Sequence, residues 1–232
     1  MRRVKGIVAI AMIMVILICN TVNVKAEAPY QVGYTCTDAA VYKTRGEDVE
    51  RYLIKNTLIY YEEVDEGWVK LAETGEYIKK DTIGEKQTML CYEIPQNSGK
   101  KSWMGDNLFG TGTNQYAVQQ LATTDKNGLK KVGNRYCVAV GSHFGLSIGQ
   151  KFDLILENNT VIPCVMGDQK ADCHTDAANI FTVNGCCSEF IVDNSCLNEA
   201  AKFSGDISSI NERWQSPVKM VATYEDGENV LE

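Results

Sequence analysis

Several features common in functional classes of protein are missing from this sequence. The 232-residue chain has only two histidines, no Cys-x-x-Cys pair, no internal repeat and no low-complexity tract. It also has no cluster of lysine and arginine, and its formal net charge is -7. Because nucleic acids are polyanions, an acidic chain without a basic cluster is not expected to bind them. The missing Cys-x-x-Cys pair argues against a zinc-finger type of site.

A single long hydrophobic run lies at the N-terminus, from Gly6 to Cys19. It follows the basic segment Met-Arg-Arg-Val-Lys and precedes a small-residue cleavage signal at residues 24–26. This order is typical of a secretory signal peptide, which we predict over residues 1–26. The run is shorter than the roughly 20 residues that span a bilayer. We therefore expect a secreted, extracytoplasmic protein with no stable membrane span after cleavage.

The cysteines that follow the predicted signal peptide form an even set. They are Cys36, Cys91, Cys137, Cys164, Cys173, Cys186, Cys187 and Cys196. An even number in an exported protein favours disulfide bonds, although the adjacent pair at 186 and 187 is poorly placed to join to itself. A zinc site is the alternative use, with the ligands Cys164, Cys173, His174 and Cys186. We favour disulfides and predict no metal and no cofactor.

Short strand-like runs broken by polar turns dominate residues 27–83. Apolar and polar residues alternate in Leu58–Val64, and a further run starts at Gly67. These patterns predict a small antiparallel barrel. The polar residues 84–101 that follow are typical of a linker or a long connection.

Residues 102–232 hold five further strand-like runs, separated by Asn-Gly and Asn-Asn turn signals. One short helix is expected at residues 197–203, and a weaker helical pattern covers residues 115–121. The whole chain is therefore predicted to be all-β, with a second compact β-barrel after the linker.

Two motifs near the end of the first domain have a recognisable spacing. They are Asp-Glu-Gly-Trp-Val-Lys-Leu at residues 65–71 and Gly-Glu-Tyr-Ile at residues 75–78. Here the chain resembles bacterial Src-homology-3-like domains, although its Val-Tyr-Lys-Thr-Arg segment at 41–45 lacks their usual Asn. The resemblance implies a targeting module that holds peptidoglycan, with Trp68 and Tyr77 as binding candidates. The alternative is that both rings pack in the domain's own core.

A second resemblance rests on Ala139-Val140, Ile148-Gly149, Asp168 and Asp193, in that order. This order is similar to the double-psi β-barrel of the three-aspartate domain, found in membrane-bound lytic transglycosylase A and more loosely in rare lipoprotein A and expansins. It implies a six-stranded double-psi-like barrel over residues 102–232. The chain departs from the family pattern because Gly141 stands where the first Asp is expected.

The ionisable groups that this resemblance points to are concentrated between Gly167 and Asp193. A lytic transglycosylase cleaves the glycan with a single carboxyl group that donates a proton and later takes one back. We predict Asp168 in this role, with the charge of Asp193 raising its pKa. The other candidates are His174 for catalysis, and Lys170, Asp172 and Asp176 for binding.

Simpler roles and other functions stand beside this prediction. Asp168 could be a turn residue at a strand end, and Asp172 and Asp176 could be solvated or turn-forming carboxylates. Gly141 favours a non-catalytic module that binds or helps to assemble peptidoglycan. A third hypothesis is a thiol-dependent peptidoglycan transpeptidase that uses Cys186 and His174. The leading prediction is an exported cell-wall protein that cleaves glycan strands of peptidoglycan.

Overall fold

Two β-sheets account for most of the regular structure in the computed structural model, which describes residues 30–232. Two short α-helices accompany the sheets in this range, Asn114–Leu121 (α1) and Glu199–Ser204 (α2). The all-β prediction is therefore confirmed. Both helices lie where the sequence signalled helix.

Seven strands form the first sheet. They are β1 (Gln31–Thr35), β2 (Ala39–Tyr42), β3 (Val49–Leu53), β4 (Leu58–Glu63), β5 (Trp68–Leu71), β6 (Tyr77–Lys79) and β7 (Ile83–Gly84). Their order is β3-β2-β6-β5-β4-β1-β7, with antiparallel neighbours. Alternate residues face the small core, where Val69, Leu71 and Ile78 are buried. This period of two explains why the β5 and β6 segments form strands.

Nine strands form the second sheet. They are β8 (Met89–Glu93), β9 (Ser102–Gly105), β10 (Thr123–Thr124), β11 (Lys130–Val132), β12 (Arg135–Val140), β13 (Lys151–Leu156), β14 (Val161–Gln169), β15 (Glu189–Val192) and β16 (Val218–Tyr224). The main path runs β10-β11-β12-β14-β13-β16-β8. In addition, β15 pairs with β12 and β9. The predicted strands of this region are all present.

Neither sheet closes on itself through the strand pairing of residues 30–232. The two barrels expected from the sequence, including the six-stranded double-psi-like one, are therefore not formed as closed hydrogen-bonded sheets. In the first sheet β3 and β7 lie at opposite ends of the order, and in the second β10 and β8 do. All-β patterning predicts strands, whereas closure depends on which distant strands pair.

The predicted linker, residues 84–101, contains regular structure. Its strand β8 pairs antiparallel with β16 of the second sheet. Lys101 at its end is fully buried, and its ammonium group donates to the carbonyl oxygens of Gly99, Trp214 and Ser216 at 2.6–3.1 Å. Pairing with a core strand and the buried lysine tie this segment to the second sheet.

A buried ion network joins the two sheets. Arg135 of β12 is fully buried and donates at 2.8 Å both to Asp38, which lies between β1 and β2, and to Asp153 of β13. Burial works against the charge on Arg135, but Asp153 and Asp38 raise its pKa. Burial also opposes ionisation of Asp38, yet Arg135 holds the pKa of that carboxyl below its ordinary value. Lys55 adds a second link by pairing with Asp226 and Glu228.

The predicted signal peptide, residues 1–26, lies outside the described residues. Within residues 30–232, neither helix has the length and hydrophobicity needed to cross a bilayer.

Candidate functional site

The parallel strands β12 and β14 end at the same edge of the second sheet, and Asp168 lies there. It pairs with Ala139 on one side of β12, while Glu189 of β15 pairs with Ala139 on the other side. Cross-strand partners share a sheet face, so Asp168 and Glu189 flank Ala139, with α-carbons about 10 Å apart across two strand spacings. The sheet therefore brings together two carboxylates, but the second is Glu189 and not Asp193.

Lys170 lies between these two carboxylates. Its ammonium group forms an ion pair with Glu189, and both side chains are only 14% exposed. Burial lowers the pKa of Lys170, while the charge of Asp168 acts to raise it. Gln115 of α1 donates a hydrogen bond to Asp168 at 3.2 Å. We call Gln115, Asp168, Lys170 and Glu189 the strand-end cluster.

Asp193 directly follows β15, beside Gly128. It lies four residues, or about 13 Å along an extended strand, from Glu189, and the preceding residue Val192 bridges to Leu129. There Asp193 accepts hydrogen bonds from the backbone and hydroxyl of Ser195, and these hydrogen bonds lower its pKa. Its own backbone N–H donates to Gly128. The expected Asp168–Asp193 pair is therefore not formed, because β15 runs antiparallel to β12.

Gly141 follows β12 at the edge where Asp168 lies. A β-carbon built at this position would meet the carbonyl oxygen of Asn179 at 1.8 Å, so no other residue fits without moving the backbone. The loop between β14 and β15 passes directly over this point. A carboxylate at the first aspartate position of the three-aspartate pattern would occupy the space that this loop fills.

Both aspartates of the loop accept structural hydrogen bonds. Asp176 accepts hydrogen bonds from the backbones of Ile180 and Phe181 at 2.8 and 3.2 Å. Asp172 accepts one from the hydroxyl of Ser142 at 2.6 Å. Asp176 is thus the turn-forming residue that the simpler interpretation of the sequence expected, and Asp172 ties the loop to the segment after β12.

His174 is exposed on the same loop. Its backbone N–H donates to Ala171, and its carbonyl oxygen accepts from Val183. These bonds order the backbone, and they leave the imidazole to face solvent. The predicted catalytic partnership with Cys186 is not supported by burial, because Cys186 is fully buried while the imidazole is exposed.

The cysteines divide into buried and accessible thiols. All eight in residues 30–232 are free, so the disulfides expected from the sequence are not formed among them. Burial raises the pKa of Cys187 and of Cys137 to about 12, which disfavours the nucleophilic thiolate at either position. Within the same range no group of three or more His, Cys, Asp or Glu residues is arranged to hold a metal ion, so the four proposed zinc ligands do not converge.

Trp68 and Tyr77 lie on the outer side of the first sheet. Their neighbours Val69 and Ile78 are fully buried, whereas the two rings are partly exposed. Tyr42 pairs with Tyr77 across β2 and β6, and its ring meets that of Trp68 edge to face at 5.2 Å. We call Tyr42, Trp68 and Tyr77 the aromatic patch. The core-packing alternative for Trp68 and Tyr77 is not what the structure shows.

Two cations cover the aromatic patch. The ammonium group of Lys79 lies 4.0 Å from the ring centre of Trp68, and the guanidinium of Arg45 lies 5.8 Å from that of Tyr77. Both cationic side chains are exposed. The patch therefore offers apolar ring surface and positive charge together.

Sequence reasoning did not assign Glu189, Gln115 or Tyr42 to a site. A signal existed for Tyr42, because the Ala-Ala-Val-Tyr run is strand-like and the period of two in a strand puts Tyr42 on the face opposite Val41. Glu189 and Gln115 are brought near Asp168 only by the pairing of distant strands and by the placement of α1, for which a single sequence carries no local signal.

The chain matches no protein-family model, no curated protein and no solved structure.

Proposed function

We propose that this is an exported, cell-wall-associated protein that binds peptidoglycan without cleaving it, and that the aromatic patch is its contact surface. The observation that carries the proposal is the outward position of Trp68 and Tyr77, the residues that the Src-homology-3-like resemblance marks for binding. Aromatic rings that are partly exposed at a surface are suited to recognition, since they bury large apolar area with little loss of conformational freedom.

The chemistry of the patch suits the proposed ligand. Pyranose rings present flat C–H faces that pack against aromatic rings, while muramic acid and stem peptides carry carboxylates. Lys79 and Arg45 provide positive charge at the rings of Trp68 and Tyr77. Because both cations are exposed, their side chains can move from ring to ligand on binding.

The geometry around the strand-end cluster favours binding of peptidoglycan without cleavage. The loop fills the space beside Gly141, and Asp193 lies beyond the end of β15, about 13 Å along the strand from Glu189. Lys170 forms an ion pair with Glu189, and Asp168 accepts a hydrogen bond from Gln115, so both carboxylates are engaged by neighbouring side chains of the chain itself.

Pelleting with purified peptidoglycan sacculi tests the proposal. The wild-type protein is expected to sediment with sacculi, and Trp68→Ala combined with Tyr77→Ala is expected to remain in the supernatant. Phe203→Ala is the matched control, because Phe203 is a 97% exposed aromatic on α2, outside the patch. Equal pelleting of the double variant and the control would refute the patch as the contact surface.

Glycan-strand cleavage is the second candidate, supported by the paired carboxylates Asp168 and Glu189 around Lys170. Incubation with sacculi would then release anhydro-muropeptides, and Asp168→Asn would abolish the release. Mass spectrometry of the supernatant decides between the candidates, because the binding proposal expects no such products from either protein.

A further inference from the structure

An open groove of about 740 Å³ runs between the two sheets. One wall is the edge strand β3 of the first sheet. The other wall comes from β11, β12 and β14 of the second sheet and from the turn around Trp214. Clefts between structural units are frequent ligand sites. This one lies at the N-terminal ends of β12 and β14, and Pro163 on its wall is five residues, or about 16 Å, from Asp168.

Positive charge predominates in the groove. Arg51, Lys131 and Arg213 line it, against the single carboxylate of Glu50. Arg51 is partly neutralised by an ion pair with Glu76 at 2.6 Å. Lys131 is half-buried, and burial lowers its pKa, which the charge of Asp125 opposes. In a chain with a net charge of -7, this local excess of cations is the reverse of the overall balance.

Aromatic rings form part of the groove surface. Tyr52 is 40% exposed, and Tyr136 is partly exposed. The ring of Tyr136 meets that of Trp214 edge to face at 5.0 Å, and the ammonium group of Lys131 lies 4.8 Å from its centre. Trp214 is itself packed in the core, so Tyr136 is held in a fixed position. A rigid ring next to a cation can receive a sugar and its acidic substituent together.

The walls of the groove are held at a fixed separation. Arg135, next to Tyr136, forms the buried ion pair with Asp38 of the first sheet. Pre-organised walls reduce the entropy lost when a ligand binds. Asn134 and Asn211 add side-chain amides that can hydrogen-bond hydroxyl or acetamido groups.

The groove is also continuous with the aromatic patch. Tyr52 pairs with Ala40 across β3 and β2, so the two residues share a face. Ala40 and Tyr42 lie two residues apart on β2 and face the same side, about 7 Å from each other. A chain-like ligand on the patch can therefore extend past Tyr52 into the groove.

We propose that the groove is a second binding site, specific for a carboxylate-bearing saccharide chain. In peptidoglycan such a saccharide is the muramic acid of the glycan strand, and in that respect the inference rests on the proposed function. The cations Lys131 and Arg213 hold the carboxylate, while Tyr52 and Tyr136 contact the sugar rings. The patch holds the strand, and the groove distinguishes acidic from neutral glycans.

Calorimetric titration of the purified protein tests this inference. The probes are peptide-free glycan strands of alternating N-acetylglucosamine and N-acetylmuramic acid, and a neutral N-acetylglucosamine oligomer. Lys131→Gln combined with Arg213→Gln is expected to weaken binding of the acidic strands by about 10-fold, through loss of charge-assisted hydrogen bonds, and to leave the neutral oligomer unaffected. Lys219→Gln, an exposed cation on β16 outside the groove, is the matched control.

Each outcome has a defined meaning. Tighter binding of the acidic strands that depends on Lys131 and Arg213 and weakens with added salt supports the inference. Equal affinity for both probes, an unchanged double variant, or no binding of the acidic strands overturns it. If pelleting of sacculi depends on the aromatic patch but the titration fails, the groove inference is refuted and the proposed function stands. If the titration depends on Lys131 and Arg213 but the protein does not pellet with sacculi, the proposed function is refuted and the groove inference stands.

Discussion

The covered edge of the second sheet and the open surfaces at the first sheet differ in how they use polar side chains. At the covered edge, Asp176 accepts hydrogen bonds within the loop that packs over Gly141, and Asp172 of the same loop accepts one from Ser142. At the open surfaces, the ring of Trp68 in the aromatic patch is partly exposed to solvent, and Tyr52 lines the open groove. The segment with the most ionisable residues is therefore a loop whose aspartates hold its own structure. The accessible surfaces carry fewer such residues, and these are aromatic and cationic.

The largest expected effect comes from removing the ion pair that fixes the groove. Arg135→Met leaves Asp38 and Asp153 buried without their cation, and we expect a loss of about 4 kcal/mol in the free energy of unfolding. Urea denaturation followed by circular dichroism measures it.

The control for this variant is Arg45→Met, because Arg45 pairs with Asp65 at the surface, where both side chains are more than 40% exposed. Its expected cost is about 0.5 kcal/mol. Similar costs for the two variants would mean that the network at Arg135 does not stabilise the arrangement of the two sheets.

A smaller loss is expected at the covered edge. Gly141→Ala places a β-carbon against the carbonyl oxygen of Asn179, and because backbone atoms cannot rotate away, we expect destabilisation of about 3 kcal/mol. Gly110→Ala is the matched control, since its β-carbon would meet nothing within 4 Å and its φ is not positive. If denaturation midpoints of the two variants coincide, the loop is not packed over Gly141 as described.

The smallest effect is expected from His174→Ala. The imidazole is exposed and the loop backbone is held by other groups, so the free energy of unfolding should change by less than about 0.5 kcal/mol. Pelleting with sacculi should also match the wild type. A loss of pelleting, with stability retained, would show that the loop takes part in binding and would weaken the contrast between the two regions.

The sequence predicts local structure well because the signals for it are local. Alternation in Leu58–Val64 and around Trp68 and Tyr77 predicts strands, and β4, β5 and β6 confirm them. The same alternation predicts that Trp68 faces outward, because its neighbour Val69 faces the core. Turn-forming capacity at Asp176 is likewise a property of a few neighbouring residues.

The candidate site is predicted less well because it depends on pairing between distant segments. Asp168 and Asp193 are both close to strand ends, but the antiparallel direction of β15 relative to β12 carries Asp193 away from Asp168. The ion pair of Asp38 with Arg135 joins residues 97 positions apart. No local pattern in a single sequence specifies either arrangement.

The junction between the sheets also has a mechanical consequence. If the first sheet is held to the wall, tension on the rest of the chain passes through Asp38, Arg135 and Lys55 as well as through the covalent connection. Charged contacts that lie side by side share a load and resist shear, whereas a flexible tether stretches under small forces. The second sheet would then keep its orientation to the wall surface while the cell grows or swells.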